Sequence, residues 1–313
     1  FCTSLVNHNL EMRQDSFTSR LAPSLVYAAL CALSLCIWYQ PSVRTLGLAM
    51  RDERYTHILL IVPVSVALIV QQWRESMHHA RPSATGAGLL LFSLLLAGSA
   101  RWGNLGFEAD VSVAISMTGL VVWWIGSFLV CFGVQSFRTL AFPFIFLFWM
   151  VPPPESFLAR IIEWLQHGSA IAAQLLFSAA GTPATRDGIL LFLPGLTLEV
   201  APECSSIRSS LMLIITTMLL AQVLLHSPWR KAFVMAIAVP LCFIKNGLRI
   251  FTLGMLATHV DPSFMTGRFH HHGGVIFFAL ALAVIFMLLW ILRRGERAMP
   301  KAAGLPMVRP MGA

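Results

Sequence analysis

Charge is what this chain is short of. Of its 313 residues only 12% are Asp, Glu, Lys or Arg, while 57% are hydrophobic. Soluble domains carry roughly 25% charged residues, so the scarcity excludes an ordinary water-soluble globule and leaves an integral membrane protein. Carboxylates are scarcer than cations, 14 against 22 Lys plus Arg. The basic excess sits largely in short loops and the C-terminal tail, which reads as positive-inside topology marking and not as a nucleic-acid footprint. No Gly-rich phosphate loop and no interleaving of aromatic with basic residues supports nucleotide or nucleic-acid binding. No cleavable signal peptide is evident. The sequence opens on Phe1, which reads as a fragment or a misplaced start, with Met12 a plausible first residue.

Cysteine is sparse too. The six are Cys2, Cys31, Cys36, Cys131, Cys204 and Cys242, and none forms a CxxC pair, which argues against a redox motif or a zinc knuckle. Cys31, Cys36, Cys131 and Cys242 lie in apolar runs and read as packing residues. Cys204 alone stands in a polar setting.

Long apolar runs are what the chain has in abundance. They predict an all-α, polytopic membrane protein of about eight spans with short connections. The expected organisation is a polar, cytoplasmic segment 1–20, a single multi-span domain 21–292 with its chemistry in 200–275, and a basic cytoplasmic tail 293–313. Four spans of scaffold are predicted near 21–38, 58–73, 86–100 and 111–134, with almost no ionisable residue inside them. A further apolar run is stopped by Pro152, Pro153 and Pro154, which remove donors and clash with the preceding turn. Helical periodicity resumes over 156–180. After a break at 181–187, GILLFLPGLTLEV has strand character around Pro194-Gly195. That predicts a small hairpin outside the bilayer, since unpaired strands cannot face lipid. Spans near 207–225, 232–249 and 275–292 complete the chain.

The segment APECSSIRSS, Ala201 to Ser210, joins the hairpin to a long apolar helix. Cys204 falls just outside that helix, with Ser205 or Ser206 placed to cap it. A thiol at a helix N-terminus feels the positive end of the backbone dipole, which favours thiolate. Arg208, four residues on, would share its helix face if the turn reaches back that far. Cys204 is therefore either a nucleophile or a small packing residue, the usual fate of a membrane cysteine.

Topology favours the first reading. If the basic loop HSPWRK and the terminal RRGER are both cytoplasmic, Cys204 lies at the outer end of its span. Arg249 follows the basic loop by about 18 residues, a rise of roughly 27 Å, close to the ~30 Å hydrocarbon core. The segment 258–274, with His259, His270, His271 and His272, is then outside as well. Arg249 either snorkels at a helix end or faces inward with Asn246, one turn earlier. The histidine run is either a metal site or a source of one general acid. The chemistry suggested is acyl transfer: thiolate attacks a peptide carbonyl, Arg249 stabilises the oxyanion, and a histidine protonates the leaving amine. Two readings of other classes stand beside it: a metal-handling transporter, and a non-catalytic assembly factor for exported polysaccharide. The spans show neither the acidic residues nor the repeated halves expected of a transporter.

APECSSIRSS, NGLRI (Asn246 to Ile250) and FHHHGGVIFF (Phe269 to Phe278) together resemble the three signature blocks of the exosortase/archaeosortase family, and the PPPE break is similar to its middle region. The resemblance covers Phe142 to Trp290. It implies a multi-pass cysteine transpeptidase of the bacterial inner membrane with its active site on the extracytoplasmic face. It implies as partners membrane-anchored proteins that end in a sorting tail: a Pro-Glu-Pro-like motif, a transmembrane helix and basic residues. It implies Cys204 as nucleophile, Arg249 as second catalytic residue and a histidine as third, taken as His270 because a bulky apolar residue precedes it and two further residues and then a Gly pair follow. Glu203, Arg208 and Asn246 are expected to support the site. No cofactor and no metal is expected.

Overall fold

A computed structural model describes residues 22–76, 82–101, 108–200, 207–261 and 274–298. The described chain is overwhelmingly helical, and it divides into two compact units, residues 1–158 and 159–313. Among the described residues five helices are long and apolar enough to cross a membrane, or up to seven if each of two bent pairs forms one span. The expected eight are not reached among the described residues. Thr85–Arg101 is too short to count, and the two sharp bends fall where predicted runs end, at Trp38 and at the three prolines before α7.

In the first unit α1 (Ala22–Ile37) turns by 76° into α2 (Tyr39–Arg51). Then come α3 (Ile58–Ser76), α4 (Thr85–Arg101), α5 (Ala109–Thr139) and the short α6 (Ala141–Phe146). α4 and α5 press together through small residues. A Cβ placed on Gly86 would lie 2.5 Å from the backbone nitrogen of Val130 and 2.6 Å from the carbonyl oxygen of Gly126. Small residues serve helix contact in membranes because lipid tails offer no hydrophobic driving force, and close backbone approach supplies van der Waals energy instead. α1 is tied to α5 by two indoles: Trp123 Nε1 donates to the Leu30 carbonyl and Trp124 Nε1 to Ser34 Oγ, each at 2.9 Å. Cys131 is buried, as a packing residue should be, whereas Cys36 is exposed on the face of α1. The expectation that Cys36 packs internally is corrected: an apolar run in a membrane helix need not face protein.

Leu147–Met150 continues α6 as a 3-10 turn, and Pro152 to Pro154 are non-helical as expected. α7 (Glu155–Ala179) starts directly after them, bent by 96° from the preceding helix. Asp110 Oδ2 accepts from the Glu155 backbone N–H at 2.7 Å, and Arg54 bridges Asp52 (2.7 Å) and Glu155 (2.9 Å).

The second unit holds the rest of α7, a small sheet, α8 (Ile207–Leu224), α9 (Pro228–His259) and α10 (Gly274–Ala298). The predicted hairpin is part of a three-stranded antiparallel meander of β1 (Thr185–Asp187), β2 (Leu190–Leu193) and β3 (Leu196–Glu199). Gly188 and Gly195 take the positive φ that its two tight turns require. β1 reads only TRD, too short and polar to show strand alternation. One face of the sheet is buried: Leu191, Leu193, Leu198 and Val200 form a core with Ala170, Ala173, Phe177 and Ile250. Gln166 Nε2 donates to the Val200 carbonyl at 2.7 Å and pins the end of the sheet to α7.

Candidate active site

α9 carries three buried polar residues within an apolar run. Lys245 is 4% exposed, Asn246 1% and Arg249 7%. Arg249 therefore faces into the protein with Asn246 and does not snorkel to a helix end. A cation buried in a span is expensive unless it faces protein or a polar cavity, which makes such residues functional candidates. The sequence reading passed over Lys245. The signal is a lysine interrupting an otherwise apolar run that begins at Ala232.

α8 and α9 are fastened at the same level. Lys245 Nζ hydrogen-bonds Ser209 Oγ, and Cys242 Sγ lies 3.8 Å from the carbonyl oxygen of Ser210 as a weak donor. Ser209 stands in the first turn of α8, whose first residue, Ile207, is buried. α10 starts beside the same place: a Cβ on Gly274 would lie 3.7 Å from Arg249 Nη1 and 3.9 Å from its Cζ. So the start of α8, the 242–249 stretch of α9 and the start of α10 meet at one end of the second unit. Arg208, in α8's first turn, is exposed, unlike Arg249.

Glycine sets how α9 fits there. A Cβ on Gly247 would meet Ala172 Cβ at 2.6 Å and the Ala173 backbone nitrogen at 2.9 Å. The glycine in NGLRI thus lets α9 pass against the backbone of α7, with Asn246 and Arg249 on either side of the contact. Further along, Gly254 meets Phe177 and Leu198 in the same way, joining α9 to the sheet.

Glu203 and Cys204, the two candidate capping serines, and His270, His271 and His272 lie outside the described residues. What the structure fixes is their flanks. Cys204 precedes Ile207 by three residues, and the histidine run ends two residues before Gly274. Both flanks adjoin the buried polar stretch of α9.

Architecture and polar stretch together define a polytopic α-helical membrane protein with buried cations at one end of a helix cluster. The sequence matches the model of the transmembrane exosortase family over residues 49–287, and the chain belongs to that family. No curated protein and no solved structure matches it.

Proposed function

We propose that this exosortase is a membrane-embedded cysteine protease and transpeptidase that removes C-terminal sorting signals of the PEP-CTERM kind from exported proteins. The site faces outward from the bacterial inner membrane. Cys204 thiolate attacks the scissile carbonyl carbon, and the carbonyl electron pair becomes an oxyanion held by the Arg249 guanidinium. Collapse restores the carbonyl and breaks the C–N bond, the leaving amine taking a proton from His270. The thioester left on Cys204 then passes to water or to another amine, releasing or transferring the product. Asn246 and Glu203 support this arrangement, and Arg208 contributes only a field from the exposed side.

The observation that carries the reading is the meeting of three sequence-distant segments, each adjoining one proposed catalytic residue, around a buried arginine. The test is processing of a tailed reporter protein in cells that express this chain. Cys204→Ala is expected to abolish processing while leaving membrane abundance unchanged. Full processing by that variant would overturn the assignment.

A further inference from the structure

The small sheet has two edges, and they differ. The β1 edge is tied to α7: Arg186 Nε donates to Gln174 Oε1 at 3.3 Å, and Gln174 Nε2 donates to the Ala184 carbonyl at 3.4 Å. Among the described residues the β3 edge has no partner. In the β2–β3 ladder Leu193 faces Leu196, Leu191 faces Leu198, and the Val200 N–H donates to the Ile189 carbonyl at 3.0 Å. Along an antiparallel strand the main-chain groups alternate sides. With residues 196, 198 and 200 bonded inward, the N–H and C=O of Thr197 and Glu199 point off the sheet. Both residues are exposed, and β3 has no strand neighbour but β2 among the described residues.

Proteins usually blunt a free edge, because it templates another strand. This one leads into the catalytic segment. Glu199 precedes Cys204 by five positions, at most roughly 18 Å of fully extended chain. The strand is also firmly based, with its inner face buried against α7 and α9 and its end held through Gln166. Attack at a fixed cysteine is faster when the flanking chain is held in one register and orientation. Main-chain pairing gives such a hold independently of side-chain sequence, while alternate side chains supply specificity.

We propose that the substrate polypeptide, in the extended stretch beside its scissile bond, adds to β3 as a fourth strand through the main-chain groups of Thr197 and Glu199. This rests on the cysteine transpeptidase reading above. It assigns to the sheet the task of aligning substrate, leaving attack to Cys204.

The test uses the full chain in proteoliposomes with a reporter protein ending in a Pro-Glu-Pro-like motif, a transmembrane helix and a basic tail. Thr197→Pro and Glu199→Pro each remove one outward N–H and leave the β2 ladder intact, as an edge strand tolerates. Each is expected to raise the half-saturating reporter concentration about tenfold, the equivalent of one lost hydrogen bond at its upper range. Thr197→Val and Glu199→Gln, which keep the N–H, should change it less than twofold. Alkylation of Cys204 by a small thiol reagent should be unchanged in all four. Should the proline variants fail to insert, amide hydrogen exchange decides. In the Cys204→Ala protein, reporter binding should slow exchange at residues 197 and 199 and leave the already bonded 198 unaltered. Unchanged exchange at 197 and 199 with reporter bound would overturn the docking proposal while leaving the enzyme reading intact. So would protection that follows the concentration of this chain and not that of the reporter, because a second copy would then occupy the edge. Failure of the enzyme reading looks different: Cys204→Ala would still process the reporter.

Discussion

Arginine and lysine would not be equivalent at position 249. The side chain there is buried, beside Asn246 and the start of α10, so its hydrogen bonds are fixed by shape as much as by charge. A guanidinium offers a planar fork that holds an oxyanion and a second acceptor together; an ammonium is a strongly hydrated point charge. Arg249→Lys is expected to cut processing of the tailed reporter by at least ~100-fold, comparable with loss of an oxyanion donor. At the exposed Arg208 only a field is proposed, so Arg208→Lys should cost less than about threefold. Lys245→Met, assayed beside them, keeps much of the side-chain volume but removes the bond to Ser209 in α8's first turn. It should slow processing while leaving membrane abundance intact. Equal tolerance at 208 and 249 would show that Arg249 only anchors a helix. Arg249 and Asn246 were legible in the sequence as a polar pair one turn apart in an apolar run. Their burial was not, because snorkelling and inward-facing arginines have the same sequence.

At the scale of elements, most helices announce themselves as apolar runs, and the three prolines mark the break before α7. The α9 start lies earlier than expected, at Pro228 and not near Ala232. The signal was present in HSPWRK: Ser227 precedes a proline at the first helical position, where its missing N–H and fixed φ are no penalty. What local sequence cannot show is a contact set by two distant segments. Gly247 reads as a weak point in a helix, yet its absent side chain admits α7 about 75 residues earlier in the chain. Gly247→Ala would raise intrinsic helix propensity and still harm the protein, because the new methyl meets Ala172 Cβ and the Ala173 backbone. Backbone cannot yield as a flexible side chain does. We expect a loss of about 1–3 kcal/mol, read as a lower unfolding temperature in detergent. Gly98→Ala, where a Cβ meets nothing within 4 Å, is the control and should be neutral or slightly stabilising. Equal shifts at both sites would mean that α7 and α9 are not in close contact.

For the molecule as a whole, the direction of the second unit follows from its two ends. At one end stand the start of α8, Arg249 and the start of α10. At the other, Glu296 accepts from the backbone N–H of His226 (3.0 Å) and of Ser227 (2.8 Å), and Arg230 Nη1 donates to the Leu292 carbonyl (2.6 Å). The two basic segments read as separate topology marks are thus physically joined, RRGER through its single carboxylate to the N-terminus of α9. A carboxylate there satisfies free backbone donors and complements the helix dipole. Two joined basic segments cannot lie on opposite faces, so the positive-inside argument gains force: both count toward one side. With HSPWRK and RRGER cytoplasmic and α9 crossing the membrane once, Val260 at its far end is expected to be extracytoplasmic. The prediction is direct. In a background lacking the native cysteines, Ser227→Cys in intact cells should resist a membrane-impermeant maleimide until the membrane is opened, whereas Val260→Cys, exposed beyond the last turn of α9, should label at once. The reverse pattern would invert the unit and place the proposed site in the cytoplasm, where exported proteins could not reach it.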